Sequence, residues 1–91
     1  MPLLILFVTG NAPRTQRARA NLAKMLEQIG RGDLGPHEID LLKQPQEGLT
    51  YSVFATPSLL KTDDGGGGSL LYGDLSDSDR LHRFLADLAM T

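Results

Sequence analysis

The chain has 91 residues, 41 % hydrophobic and 22 % charged, with 9 Lys and Arg against 11 Asp and Glu and a formal charge of −2. That describes one small globular domain over residues 1–91, and the slightly acidic balance argues against a nucleic-acid partner, which calls for a net basic field. The absence of Cys excludes disulfides, thiolate metal sites, thiol nucleophiles and dithiol redox chemistry.

Residues 3–8 are a continuous apolar run, too short for a helix and halted by Gly10. They read as a strand covered on both faces, central in its sheet. The run falls far short of the roughly 20 residues of a membrane span. It carries neither a basic leader nor a small-residue cleavage site, so a cytoplasmic setting with no membrane partner is expected. Pro13 suits a first helical turn, where its missing N–H has no partner to lose. From Ala18, the residues Leu22, Met25, Leu26 and Ile29 recur at helical spacing. An amphipathic helix of about four turns follows, ended by Gly30 and Gly32, with Arg14, Arg17, Asn21 and Lys24 aligned on its outer face. A turn at 32–36 leads to residues 37–42, which begin by alternating and predict a second strand. Strand, helix and strand in this order make a βαβ unit with parallel strands and a right-handed crossover.

Pro45 and Gly48 are expected to interrupt regular structure over 43–50, while 49–54 fits a short helix or a strand equally by periodicity. Beyond Thr56-Pro57, apolar runs at 58–61 and 70–72 are separated by polar residues and four consecutive Gly at 65–68. This predicts a hairpin with a disordered tip. Ser76 and Asp79 match a capping-box-like pattern, with Asp77 and Asp79 favoured at the start of a last helix. Leu81, Phe84, Leu85 and Leu88 mark its buried stripe.

The order of a βαβ unit, an ambiguous segment, Thr-Pro, a hairpin and a terminal helix resembles the thioredoxin fold. In that fold a proline opening the strand opposite the first loop is cis, at small cost for an X–Pro bond; Pro57 is the predicted cis-proline. Where thioredoxin has Cys-x-x-Cys, this chain has Gly10-Asn11-Ala12-Pro13, so the scaffold is expected without its redox chemistry.

Four stretches are also similar to a narrower family. They are Leu6-Phe7-Val8-Thr9-Gly10-Asn11-Ala12-Pro13 with Arg17-Ala18, then Ile39-Asp40-Leu41-Leu42-Lys43-Gln44-Pro45-Gln46, then Ala55-Thr56-Pro57-Ser58-Leu59, then Gly73-Asp74-Leu75-Ser76. In this order and near this spacing they resemble the circadian clock protein KaiB and its relatives. The resemblance implies a non-enzymatic regulator, without cofactor, metal or catalytic residues. Such a protein docks on the KaiC-type ring ATPase and modulates its phosphorylation cycle, in a clock or a related timing or stress system. A KaiA-like protein, a clock histidine kinase and a homo-oligomer are further implied partners. Two folds are implied: an α/β thioredoxin-like βαβ-α-ββα monomer that binds the ATPase, and a tetrameric ground state with a rearranged C-terminal half. Phe84 and Ala86 stand where clock members have Gly-x-Asp, and they propagate a helix better, which favours the thioredoxin-like state. The hairpin lacks the family's proline-rich stretch and Arg pair, having Thr62-Asp63-Asp64 and glycines instead. Arg17, Lys43 and Lys61 each match a basic family position and are the candidate partner contacts.

Plainer readings of several residues stand beside these. Arg14, Arg17 and Lys24 also describe a solvated helix face. Helix capping accounts for Asp74, Asp77 and Asp79 better than a divalent metal does, and His37 and His82 are too few for a metal site. A helix N-terminus after Gly10 could hold phosphate, but Pro13 removes a donor and neither phosphate-loop pattern is present. Ser52, Ser58 and Ser76 lack the turn and the nearby base of an activated nucleophile. Two alternatives to the docking regulator are a redox-inactive thioredoxin-like module that binds a small molecule and a sensor module of the kind fused to a clock histidine kinase. The lack of a kinase segment speaks against the latter.

Overall fold

In the computed structural model, which describes residues 3–63 and 67–89, the apolar run becomes β1 (Leu4–Val8), buried along its whole length. Successive side chains of a strand point to opposite faces, so a strand apolar at every position needs cover on both. Leu4, Leu6 and Val8 lie with Ala18, Leu22 and Met25 of α1 (Pro13–Gln28) and with Leu81 and Leu85 of α3 (Ser78–Leu85). Ile5 and Phe7 face the other way, into a smaller cluster with Ile39, Val53 and Leu60. The Phe7 ring lies 5.5 Å from that of Tyr51, just beyond α2 (Pro45–Thr50).

The sheet has four strands in the order β2-β1-β3-β4. β2 (His37–Asp40) runs parallel to β1, with Ile5 beside His37 and Val8 beside Asp40. β3 (Ser58–Thr62) is antiparallel to β1, and β4 (Gly68–Tyr72) is antiparallel to β3. This is the thioredoxin-like arrangement, not a rearranged C-terminal half: Leu70, Leu71 and Tyr72 lie in a strand. The Thr56–Pro57 peptide is cis. α1 begins with Pro13 in its first turn and ends where Gly30, at φ +77°, turns the chain so that the Arg31 N–H reaches Leu26 O at 2.8 Å. Among the described residues no helix is long and apolar enough to cross a membrane.

Several local expectations are corrected. Regular structure does occur over 43–50, because Pro45 sits in the first turn of α2, where it costs no hydrogen bond. Gly48 is buried there, with a would-be Cβ 3.3 Å from Val53 O and 3.6 Å from Leu41. β2 stops at Asp40, since residues 41–43 form a turn. Gly68 and Ser69 belong to β4 rather than to a loop, and Gly67 is held by Asp63, its N–H donating to Asp63 Oδ1 and its O accepting from the Asp63 N–H, each at 2.9 Å; residues 64–66 of the expected disordered tip lie outside the described residues. The cap of α3 is Asp77, whose carboxylate accepts the Arg80 N–H at 3.1 Å, not Ser76. Phe84 is half-buried against the core, and the helix tightens at Ala86 into a 3₁₀ turn, Ala86–Leu88.

Ser58 is fully buried beside the cis-proline, and its hydroxyl has no hydrogen-bond partner among the described residues. A buried, unpaired polar group carries a desolvation cost with no return. Ser58→Ala is therefore expected to stabilise the fold by about 1 kcal/mol. Urea unfolding checks this, and a loss of stability of similar size would refute it.

Candidate docking surface

The last residues of β1 and β2 and the first of β3 meet at one end of the sheet, where Phe7 pairs with Ser58 and Val8 with Asp40. The Thr9 and Thr56 hydroxyls hydrogen-bond to each other, joining the first loop to the residue before the cis-proline. Gly10 follows at φ +64°, a backbone conformation open to glycine without steric penalty. Its N–H points at Asp40 Oδ1, 3.1 Å away, and the same oxygen accepts the Leu42 N–H at 2.9 Å. Asn11 is held from α1, its backbone O accepting from Gln16 Nε2 at 3.1 Å and its Oδ1 from Arg19 Nη1 at 2.6 Å. Arg19 Nε also reaches Glu38 Oε1 at 2.7 Å.

The loop that carries a dithiol in thioredoxin is thus pinned by a carboxylate and a guanidinium. With the Gly10 N–H taken and a negative charge beside the first turn of α1, the arrangement does not suit a phosphate. Asp74, Asp77 and Asp79 do not converge either. Asp74 accepts from Arg17 Nε at 3.0 Å and from the Ser76 N–H at 3.2 Å, Asp77 caps α3, and no group of three or more acidic or histidine ligands gathers among the described residues.

Outside the core the chain presents large apolar side chains, Leu42 and Phe54 near this end and Leu49 on α2. Leu42 is 69 % exposed, Leu49 79 % and Phe54 80 %. Leu42 hangs over Gly10, with Cδ1 3.4 Å from the position of a Cβ there, and Phe54 lies in the loop leading to Thr56-Pro57. Lys43 stands exposed next to Leu42. None of these side chains serves the core.

The three candidate cations are separated. Lys43 follows β2 at this end. Arg17, in the first half of α1, is half-exposed and pairs with Asp74, while Asn21 Nδ2 donates to Asp74 O at 3.0 Å, so this stripe also ties α1 to the segment before α3. Lys61 is at the opposite end of the sheet, beside Leu4. Its ammonium donates to Phe84 O at 2.6 Å and Asp87 Oδ1 at 2.7 Å, and lies 5.0 Å from the centre of the Phe84 ring. Lys61 is engaged inside the molecule. Leu49 and Phe54 were missed by sequence reasoning because 49–54 carries no clear period.

Three carboxylates are held below the ordinary value of 3.8. Asp40 is lowered by the backbone N–H groups of Gly10 and Leu42, then by Lys43 and Arg19. Asp74 is lowered by the Ser76 hydroxyl and by Arg17, and Asp87 by the Lys61 ammonium. A carboxyl depressed on folding favours the folded state above its unfolded value, and that contribution is lost as the pH falls through the folded one. The melting temperature is expected to be flat from neutrality to about pH 5 and to decline below about pH 4. Asp40→Asn should flatten that acid limb in thermal melts across the range; an unchanged limb would dissociate Asp40 from it.

Residues 5–86 match the family model described as the KaiB domain. The chain is 38 % identical over 79 residues to the circadian clock oscillator protein KaiB of Prochlorococcus marinus (strain MIT 9313), covering 87 % of this chain and 66 % of that protein. It is 38 % identical over 79 residues to the protein of the same name from Nostoc sp. (strain PCC 7120), covering 87 % and 72 %. The chain spans just under two thirds of the first relative's length. Among solved structures, the N-terminal domain of Synechococcus elongatus SasA superposes with a TM-score of 0.73 at 28 % identity, over 94 % of this chain and 84 % of that one. Mitochondrial thioredoxin 3 of Saccharomyces cerevisiae gives a TM-score of 0.75 at 19 % identity, over 94 % and 77 %; that likeness is one of fold alone.

Proposed function

Since the chain belongs to the KaiB family, we propose that it is a clock-type regulator of the cytosol that acts by docking rather than by catalysis. Its partner in this reading is a KaiC-type ring ATPase whose phosphorylation cycle it modulates, with a KaiA-like protein or clock histidine kinase as further contacts. The observation that supports this best is that Leu42, Leu49 and Phe54 are large apolar side chains left in solvent, Leu42 with the exposed Lys43 next to it. Aromatic and aliphatic anchors with a charged rim are the make-up of an interface. The first loop, free of sulfur and pinned by Asp40, offers no nucleophile and no redox pair, so insulin-reduction and esterase assays should stay at background.

The test is binding of the purified chain to its own host's ATPase rings in both nucleotide states. Phe54→Ala should weaken binding about 10- to 100-fold if it is a buried anchor. Lys43→Glu should slow association and make its salt dependence shallower, since rim charges act mainly on the on-rate. Arg17→Glu is a less clean probe, because it also breaks the pair with Asp74, at about 0.2 to 1 kcal/mol of stability. Lys61 enters through its anchoring of α3 and not by direct contact. No complex at micromolar concentration with any ring would remove the docking function while leaving the family and fold in place.

A second reading has one observation in its favour. Between α1 and β2 lies a cleft of about 220 Å³ lined by Leu6, Leu22, Leu26 and Leu34 together with Arg19, Glu27 and Glu38, room for a small ligand although below the roughly 300 to 1,000 Å³ of most ligand sites. A thermal-shift screen of small ligands separates this module-type reading from the docking one.

A further inference from the structure

The side of α1 that borders the cleft carries a row of side chains one helical turn apart, Arg19, Ala23 and Glu27. Ala23 in the middle ends at Cβ, so the row dips there between two long side chains. The dip opens onto Leu6, Leu22 and Leu26, each no more than 3 % exposed. Leu34 and Pro36, from the connection between α1 and β2, complete the lining with Glu38, which stands beside Leu6 in the strand register. Building on the small-ligand reading of this cleft, we propose that it binds a small primary amine with an aliphatic or aromatic body, the body seated over the leucines and the ammonium held by the Glu27 carboxylate.

The charged groups of the lining are not balanced. Arg19 is engaged within the molecule: its Nε reaches Glu38 Oε1 at 2.7 Å and its Nη1 donates to Asn11 Oδ1 at 2.6 Å. Guanidinium and Glu38 carboxylate thus offset each other. Glu27, two turns further along α1, has no ion-pair partner among the described residues. The cleft therefore holds one carboxylate more than it holds cations, and a cationic ligand neutralises it where an anionic one is repelled. The glycine after the helix sets where that carboxylate lies. A Cβ at Gly32 would be 2.5 Å from Glu27 Oε1 and 2.8 Å from its Cδ, so Glu27 folds across residue 32 only because no side chain is there. Unlike Gly30, Gly32 is not in the left-handed region, so the backbone accepts alanine, and what the glycine leaves room for is the carboxylate.

Size narrows the class further. A volume of about 220 Å³, at the roughly 30 Å³ that a water molecule takes in the liquid, holds about seven non-hydrogen atoms. That is the body of benzylamine or hexylamine, with the charged nitrogen at the mouth. Apolar contact alone would hold a neutral molecule of the same shape, and the unpaired carboxylate adds the preference for an ammonium, because a hydrogen bond to a charged group is stronger than a neutral one. Glu27 is exposed and its field is screened by solvent. The preference is accordingly modest, about fivefold, and a probe of this size binds with a Kd on the order of 1 mM.

The test is titration of the full chain with three probes of one shape, benzylamine, benzyl alcohol and benzoate, followed by amide and methyl NMR shifts. Benzylamine should shift Ala23, Leu26, Leu34 and Glu38 and bind about fivefold more tightly than benzyl alcohol, with benzoate weakest and the margin shrinking as salt rises. Glu27→Gln should erase that margin. Gly32→Ala keeps every charge and displaces the carboxylate, and should erase it too. Ala23→Leu, at an exposed helix position that tolerates it, should abolish binding of amine and alcohol alike, with circular dichroism and melting unchanged. Benzyl alcohol or benzoate bound in the cleft as tightly as benzylamine overturns the amine assignment and leaves the small-ligand reading standing. A margin indifferent to both Glu27→Gln and Gly32→Ala does the same. No shift at those residues with any probe removes the assignment and the small-ligand reading together.

Discussion

Phe7→Ala is expected to cost about 3 to 5 kcal/mol, among the largest losses available to a single core truncation. Phe7 is fully buried, sits on the central strand and is the only Phe of its cluster, in contact with the Tyr51 ring and packed among Ile5, Ile39, Val53 and Leu60. Few side chains line that side, so there is little to collapse into the space left behind. At about 0.05 to 0.15 kcal/mol per residue the whole chain is stable by roughly 5 to 14 kcal/mol. The variant should melt about 15 to 30 °C lower. Calorimetry checks this, with Phe7→Leu as a control that loses far less. A cost under about 1 kcal/mol would mean that the ring is not the keystone of that layer.

Leu22→Ala and Leu85→Ala should each cost about 2 to 5 kcal/mol. Leu22 in α1 is 2 % exposed and Leu85 in α3 is 0 % exposed, and both lie in the larger cluster between those helices and the sheet. Because they share one packed layer, their effects should not add: the double variant tests coupling, which for neighbours runs to about 0.5 to 3 kcal/mol. Denaturant unfolding with unchanged slope reports stability alone. Additivity within error would show the two leucines packing independently.

The parts of the fold that sequence reasoning reached are those with an uninterrupted signal. The run through β1, apolar at every residue, and the helical recurrence of Leu22, Met25 and Leu26 admit one reading each. α2 was hidden because Pro45 and Gly48 act as breakers in isolation. Only the structure places the first at an N-terminus and the second against Leu41 and Val53 O. The cap of α3 shifts by one residue because Leu75, at φ +64°, turns the chain and gives the Ser76 N–H to Asp74. The apparent surface cation Lys61 was legible in principle. It shares a strand face with Leu59, two residues earlier, and Leu59 is fully buried; once that face was assigned to the core, Lys61 had to reach inward. The exposure of Leu42 and Phe54 left no such trace, since single apolar residues near turns occur at any surface.

The two faces of the sheet are unequally insulated. The layer under α1 and α3 gathers many buried side chains, whereas the layer behind α2 rests on Ile5, Phe7, Ile39, Val53 and Leu60, with Leu41 and Leu70 at its margin. Cooperative units with less buried apolar area open at lower free energy than the whole molecule. The segment carrying Leu42, Leu49 and Phe54 is therefore expected to open before the layer under α1 and α3, which native-state amide exchange checks. A partner that held those three side chains would close that segment. Part of its affinity goes into suppressing fluctuations that the free protein undergoes, so tightening α2 in isolation would make the same surface a better ligand without altering any atom that touches the partner.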